Sequence, residues 1–188
     1  MLFLASRSPR RSALLVQLGL RFEVLDLAIE EIRRAGEPAP DYVSRVAREK
    51  AGAGLLQVAG VANARVIGAD TEVVLDGEVF GKPADAEAAA RMLRRLSGRT
   101  HQVLSDVWCV GSAGEAHASC VSEVTFSPLS DPEIAAYVAT GEPFGKAGGY
   151  AIQGRAAAFV RHLSGSYSGV MGLPLFETAA LLRQTGDL

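Results

Sequence analysis

The sequence predicts a single α/β domain, residues 1–188, built on a mixed, twisted sheet with flanking helices. Three observations lead to it. Short apolar runs alternate with helix-period segments, which is the pattern of strands interleaved with helices. Strong turn signals place hairpins between some of those runs, so the alternation is not a pure βαβ repeat and the sheet is not wholly parallel. The chain has 188 residues, 48% of them apolar and 21% charged, enough to bury one core without disulfides or a structural metal.

In chain order, Leu2-Phe3-Leu4-Ala5 reads as a short buried strand. Ser8-Pro9 then opens a helix, Ser8 as N-cap and Pro9 at the first helical position, with Leu14, Leu15 and Leu18 as its apolar stripe and Gly19 as its stop. Phe22 to Leu27 looks like a second strand. Gly36 to Pro40 is a loop, after which Asp41 caps a helix to about Ala51 with Val43, Val46 and Ala47 on one face.

Val66 to Leu75 is an apolar strand, Asp76-Gly77 a hairpin turn and Glu78-Val79-Phe80 the return strand. Asp85 caps a helix through Leu96, which Gly98 ends. Val103 to Val110 and Ala118 to Phe126 read as paired strands around Gly111 to Gly114. Asp131-Pro132 opens a helix ending near Gly141. Ala157 to Leu163 and Tyr167 to Met171 read as strands flanking a turn at Ser164-Gly165, and a last helix covers about Leu175 to Leu182. There is no internal repeat, low-complexity tract or interdomain linker.

A formal net charge of −2 argues against a nucleic-acid or membrane-surface binder, which needs a basic excess. No apolar stretch is long enough to span a bilayer. The start of the chain meets Arg7, Arg10 and Arg11 too soon to be a signal peptide. Cys109 and Cys120 lack metal-ligand spacing and read as reduced thiols. The expected location is the cytoplasm.

Four constellations have the residue types for chemistry. Ser6-Arg7-Ser8-Pro9-Arg10-Arg11 places two hydroxyls and guanidinium forks at a helix start, which suits phosphate; a capped helix with solvated arginines has the same sequence. Asp70, in Gly68-Ala69-Asp70-Thr71, is a carboxylate inside an apolar strand, where it needs a cation, a metal or backbone amides. Lys50 shares a helix face with Val43, Val46 and Ala47, so its ammonium either faces inward or snorkels. Lys82 follows a hairpin, and Glu30 and Glu31 are solvated charges or a metal ligand. Finally, the glycine-rich run Gly141 to Gly154 lacks Walker spacing and reads as a mobile surface loop or a close approach to a ligand. Within it, the Gln153 amide can donate and accept at once, as reading a base edge requires.

His101, His117 and His162 lack ligand spacing. Ser166 in Gly165-Ser166-Tyr167-Ser168-Gly169 does not form a nucleophile elbow, and no strand–turn–helix is expected around it.

Together these segments resemble the Maf family of nucleotide pyrophosphatases. The matching stretches are Leu4-Ala5-Ser6 with Ser8-Pro9-Arg10-Arg11, Ala47-Arg48-Glu49-Lys50-Ala51, Gly68-Ala69-Asp70-Thr71, Gly81-Lys82-Pro83 and Leu96-Ser97-Gly98-Arg99-Thr100-His101. They continue through Gly141-Glu142-Pro143, Lys146-Ala147-Gly148, Tyr150-Ala151-Ile152-Gln153-Gly154, Gly165-Ser166-Tyr167 and Gly172-Leu173-Pro174-Leu175, in the family's order over nearly the whole chain.

The resemblance implies a fold related to inosine triphosphate pyrophosphatases, with two lobes around a deep cleft. It implies cleavage of the α–β phosphoanhydride of a nucleoside triphosphate with a divalent cation, Mg²⁺ or Mn²⁺. By the same resemblance Asp70 is the proton acceptor and Glu31 its partner in holding the metal. Ser6, Arg11, Lys50 and Lys82 match positions that hold the triphosphate, and their charges predict that Arg11, Lys50 and Lys82 stabilise charge moving onto the leaving pyrophosphate. Arg10, Thr71 and Gln153 match positions of substrate choice and follow the dTTP/UTP branch rather than the 7-methyl-GTP branch. Ala28 stands where that branch often has an acid, which leaves Glu30 or Glu31 as the metal's partner. The substrate partner is the triphosphate, with no nucleic acid or membrane involved, and a homodimer stays open. The alternative is a nucleotide-binding regulator of cell division that does not turn over.

Overall fold

The computed structural model describes residues 1–187. Strand β1 (Leu2–Ala5) is buried along its length. Helix α1 (Pro9–Gln17) begins at Ser8, whose hydroxyl accepts from the Arg11 N–H, and it buries Leu14 and Leu15. Gly19, at φ 71°, supplies the left-handed residue that stops it. Strand β2 (Glu23–Leu25) is shorter than the expected run to Leu27.

The next helix departs from expectation at both ends. Helix α2 spans Ala39–Gln57. Pro40 sits in its first turn, where a missing N–H breaks no bond, so Asp41 is a first-turn acid and not the cap. The helix runs past Ala51 through Gly54 because tertiary packing outweighs glycine's poor helix propensity. A Cβ at Gly54 would lie 2.7 Å from Val66 Cγ1 and 3.1 Å from Ala5 Cβ.

Strands β3 (Arg65–Leu75) and β4 (Glu78–Phe80) pair antiparallel about Asp76-Gly77. Their φ values of 53° and 77° are the left-handed pair such a hairpin requires. Helix α3 (Ala86–Leu96) is capped by Asp85. Strands β5 (Thr100–Gly111) and β6 (Gly114–Phe126) extend further than expected around their turn. Helix α4 (Asp131–Val138) is capped by Ser130 in a capping box with Glu133, one residue before the Asp131 start that the sequence suggests.

The expected hairpin at Ser164-Gly165 is not there. Strand β7 (Val160–Ser164) pairs with β6, but Tyr167–Met171 form helix α5. The Ser166 N–H donates to Ser122 Oγ at 2.9 Å, and the Gly169 N–H donates to Ser166 Oγ at 3.0 Å. That hydroxyl acts as a local cap, an option only a helix start offers. A strand–turn–helix does therefore surround Ser166, against expectation, and its hydroxyl serves the helix. Helix α6 (Leu175–Thr185) closes the chain at Gly186.

The strands form one mixed sheet in the order β2-β1-β3-β5-β6-β7, with β4 on β3. Contacts divide the chain into two compact units. The first comprises Met1–Thr71, Ser105–Cys120 and the segment from Gly172 onward. In it β1 runs parallel to both β2 and β3, with Phe3 opposite Glu23 and Leu4 opposite Ile67. Its core beneath α2 includes Phe3, Ala5, Leu25, Ala51, Val66 and Val110. The second unit comprises Glu72–Leu104 and Val121–Met171, cored by residues such as Phe80, Leu93, Leu96, Phe126, Ile134 and Tyr150. Cys109 and Cys120 are buried thiols not joined in a disulfide, and Cys109 is a small hydrophobe whose thiol burial pushes up to about 11. Among the described residues no helix is long and apolar enough to cross a membrane.

Candidate active site

Close backbone packing builds the site in the first unit. A Cβ at Gly68 would overlap the Ala47 carbonyl oxygen and lie 2.8 Å from Ala51 Cβ, so α2 rests directly on β3 at that point. Strand alternation puts residues 66, 68 and 70 on the α2 face. Lys50, one position before Ala51, thereby meets Asp70, two positions beyond Gly68. Its Nζ lies 2.7 Å from Asp70 Oδ1 and 2.6 Å from Glu31 Oε1. The Lys50 side chain is 10% exposed and that of Asp70 5%, so the ammonium points inward and does not snorkel.

One positive and two negative charges meet there, and buried Asp70 Oδ2 has no hydrogen-bond partner. Residual negative charge and an orphaned carboxylate lone pair suit the hard oxygen-seeking cations Mg²⁺ and Mn²⁺. Among the described residues no three His, Cys, Asp or Glu side chains gather, so Glu31 and Asp70 would share such an ion with oxygens from outside the chain.

The loop carrying Glu31 is tied to α2. Tyr42 Oη donates to the Glu31 carbonyl oxygen at 3.1 Å, and Arg45 Nη2 to that of Ile32 at 2.9 Å. The same guanidinium grips Glu37 at 2.6 and 2.8 Å, and this hydrogen bonding holds the Glu37 carboxyl down at about 2. Glu31 thus meets Lys50, while Glu30 is exposed. Sequence reasoning missed Tyr42, Arg45 and Glu37. Only the i,i+4 spacing of Arg45 and Glu49 was readable, because the grip on Glu37 depends on the path of an irregular loop.

Ser6 lies just past β1, 7% exposed. Its Oγ accepts from the Ser8 N–H at 3.2 Å and from Arg11 Nη1 at 3.4 Å, while Arg11 Nε donates to the Gly172 carbonyl at 2.8 Å. The Leu4–Ile67 register brings this corner to the same edge of the parallel pair at which Gly68-Ala69-Asp70 begins, where open α/β sheets bind ligands. Burial and then the neighbouring Arg11 charge lower the Arg10 pKa, a pairing of cations that a phosphate would relieve. Thr71 is turned by alternation to the other face of β3, where Oγ1 and Ser105 Oγ share a hydrogen bond at 3.0 Å.

Lys82 and Gln153 belong to the second unit. Lys82 is exposed between β4 and α3, and its neighbour Gly81 accepts from the Gly148 N–H at 3.2 Å. Gly148 has φ 69°, and a Cβ there would sit 2.8 Å from Val73 Cγ2. This part of the glycine-rich run is therefore packed, not a loose surface loop. Gln153 is exposed beside buried Ile152. His101 is buried with Nε2 2.8 Å from Tyr150 Oη, and burial lowers its pKa to about 4. His117 stacks on Trp108.

Fold and site together define a mixed α/β protein whose buried lysine joins two carboxylates beside an arginine-bearing helix start, an arrangement suited to a multiply charged anion and a cation. The match to the Maf-like protein family covers residues 1–185, and the chain belongs to the Maf family. It is 60% identical over 188 residues to a dTTP/UTP pyrophosphatase of Xanthomonas euvesicatoria, covering 99% of each chain. A nucleoside triphosphate pyrophosphatase of Xylella fastidiosa is 59% identical over 183 residues, covering 97% of each. The solved structure of a nucleoside-triphosphatase / dITP/XTP pyrophosphatase from Mycobacterium abscessus overlaps 68% of this chain and 75% of its own, with 19% identity and a TM-score of 0.43, too loose a likeness to carry an argument.

Proposed function

We propose that this chain hydrolyses the α–β phosphoanhydride of nucleoside triphosphates, dTTP, UTP and modified pyrimidine nucleotides among them, to nucleoside monophosphate and pyrophosphate. The observation that carries the reading is the Lys50 ammonium buried between Glu31 and Asp70 with Asp70 Oδ2 left unpartnered. The names borne by relatives of about 60% identity support it. The reading describes a cytoplasmic enzyme acting on free nucleotides.

In this reading Lys50 fixes Asp70 through Oδ1, and Oδ2 faces the attacking water. The water oxygen bonds to the α-phosphorus as the bond from that phosphorus to the bridging oxygen breaks. The water proton passes to Asp70, and the electron pair leaves on pyrophosphate. Glu31 and Asp70 would hold Mg²⁺ or Mn²⁺, which when bound offsets phosphate charge. Ser6 and Arg11 grip the triphosphate, and Arg11, Lys50 and Lys82 stabilise charge moving onto the leaving group. Arg10, Thr71 and Gln153 select the nucleotide.

Incubation with dTTP or UTP and Mg²⁺ or Mn²⁺, with and without EDTA, tests the reading. Monophosphate and pyrophosphate form in equal amounts, EDTA abolishes them, and Asp70→Asn keeps the fold while losing at least about 10²-fold in turnover. Nucleotide bound but uncleaved by the wild-type protein would instead make it a regulator. Near-normal turnover in Asp70→Asn would remove Asp70 from the chemistry.

A further inference from the structure

The exposed Gln153 side chain stands on backbone anchored on both sides. Two residues before it, the Ala151 N–H donates to Tyr137 Oη at 3.0 Å. Two residues after it, the Arg155 N–H donates to both carboxylate oxygens of Glu142, each at 3.0 Å. Both acceptors come from α4 and the turn that follows it. Glu142 is held in place in its own right: its N–H donates to Thr140 Oγ1 at 3.1 Å, and Lys146 Nζ donates to its carbonyl oxygen at 2.6 Å. The carboxylate presses so closely on Gly154 that any Cβ there would overlap Glu142 Oε1. Glycine next to Gln153 is thus a requirement imposed by Glu142, since φ at Gly154 is an ordinary −108°.

Tyr137 joins the two anchors. Burial, with the Glu142 charge beside it, pushes its phenol up to about 12, so the hydroxyl keeps its proton for Glu142 and a lone pair for the Ala151 N–H.

A side-chain amide reads a base edge through one directional donor and one directional acceptor, so selectivity depends on how firmly its backbone is aimed. We propose that Glu142, with Tyr137, is a positioning residue that aims Gln153 at the nucleotide base and so sets the enzyme's preference among nucleoside triphosphates. The inference rests on the pyrophosphatase reading and on the place of Gln153 in it.

The test is a set of kcat and KM values for dTTP, UTP, dCTP, dATP and dGTP with the wild-type protein and with Glu142→Gln, Glu142→Ala, Tyr137→Phe, Gln153→Ala and the double variant Glu142→Ala/Gln153→Ala. Glu142→Ala should reduce the ratio of kcat/KM between best and worst nucleotide roughly five- to tenfold, the worth of one well-directed neutral hydrogen bond. That loss should fall on the KM of the preferred nucleotide. Glu142→Gln, which can still accept from Arg155, should restore most of the ratio. The double variant should be no less selective than Gln153→Ala alone, because both changes disable one device.

A parental ratio in Glu142→Ala overturns the inference, as does an equal loss on every nucleotide or a loss fully additive with Gln153→Ala. Should circular dichroism show Glu142→Ala unfolded, Tyr137→Phe decides on the same criteria, since it keeps the buried ring. An unchanged ratio in Gln153→Ala removes Gln153 from base reading and the inference with it. A wild-type chain that releases no pyrophosphate overturns the functional reading itself, so the two failures are distinguishable.

Discussion

Lys50 shows what one buried charge does to its neighbours. Its ammonium contacts two carboxylates, one of them almost wholly buried. Lys50→Met keeps the stem's volume and removes the charge, leaving Asp70 and Glu31 facing each other. Breaking a buried pair from one side costs about 3 kcal/mol. If the carboxylates then take a divalent cation in the ammonium's place, Mg²⁺ or Mn²⁺ should raise the variant's Tm more than the wild type's, by mass action on the folded state. Equal shifts in thermal melts would show that no cation takes the ammonium's place, and no shift in either protein would remove Glu31 and Asp70 as cation holders. Asp70 was legible in the sequence because a carboxylate in Ile67-Gly68-Ala69-Asp70 demands a partner. The inward turn of Lys50 was not, since the helix face it shares with Val46 and Ala47 permits both inward and snorkelling rotamers. That Glu31 and not Glu30 meets Lys50 was not readable from the residues themselves, because Tyr42 and Arg45 grip a loop without periodicity.

At the scale of elements, the contact of α2 with β3 places the site, and Gly68 sets its distance. Gly68→Ala would drive a methyl into the Ala47 carbonyl, backbone that cannot step aside as a side-chain tip can. Urea titration should show a loss of at least about 2 kcal/mol, in the upper part of the overpacking range. Gly60→Ala is the control: nothing lies within 4 Å of its Cβ, so it should be neutral or stabilise by about 0.5 kcal/mol through the unfolded chain. A Gly68→Ala variant as stable as the control would show that the helix can lift off the strand at no cost. Elements whose ends are local chemistry were legible: the Ser8-Pro9 start, the Asp76-Gly77 hairpin and the Asp85 cap. Those decided by remote packing were not. α2 outruns its expected end because Gly54 sits on Val66 and Leu25. Tyr167–Met171 is helical because Ser122, 44 residues away, holds the Ser166 N–H.

For the whole molecule, the strand order was beyond the sequence. Apolar runs fix which segments are strands, but not that β1 pairs with β3 across two intervening helices. The division into two units has a consequence for acid stability, because the two groups with large shifts in the acid range, His101 and Glu37, lie one in each unit. In the second unit burial lowers His101 from 6.5 to about 4. Between those values the unfolded chain binds the proton and the folded one does not. Stability present above about pH 6.5 is therefore lost as pH falls towards 4, on the order of 3 kcal/mol when complete. In the first unit Arg45 holds Glu37 at about 2 against an ordinary 4.5, so that contribution persists above 4.5 and is lost as pH falls towards 2. Acid should thus weaken the second unit first. Trp108, the single tryptophan, lies in the first unit, whereas Tyr137 and Tyr150 lie in the second beside the His101 cluster. Amide hydrogen exchange at pH 5 should therefore accelerate in residues 72–104 and 121–171 while Trp108 fluorescence still reports a folded surrounding. His101→Gln, which cannot titrate, should flatten the early phase alone. If both units loosen together between pH 6.5 and 4, or if the variant keeps the early phase, the buried imidazole is not what makes this fold sensitive to mild acid.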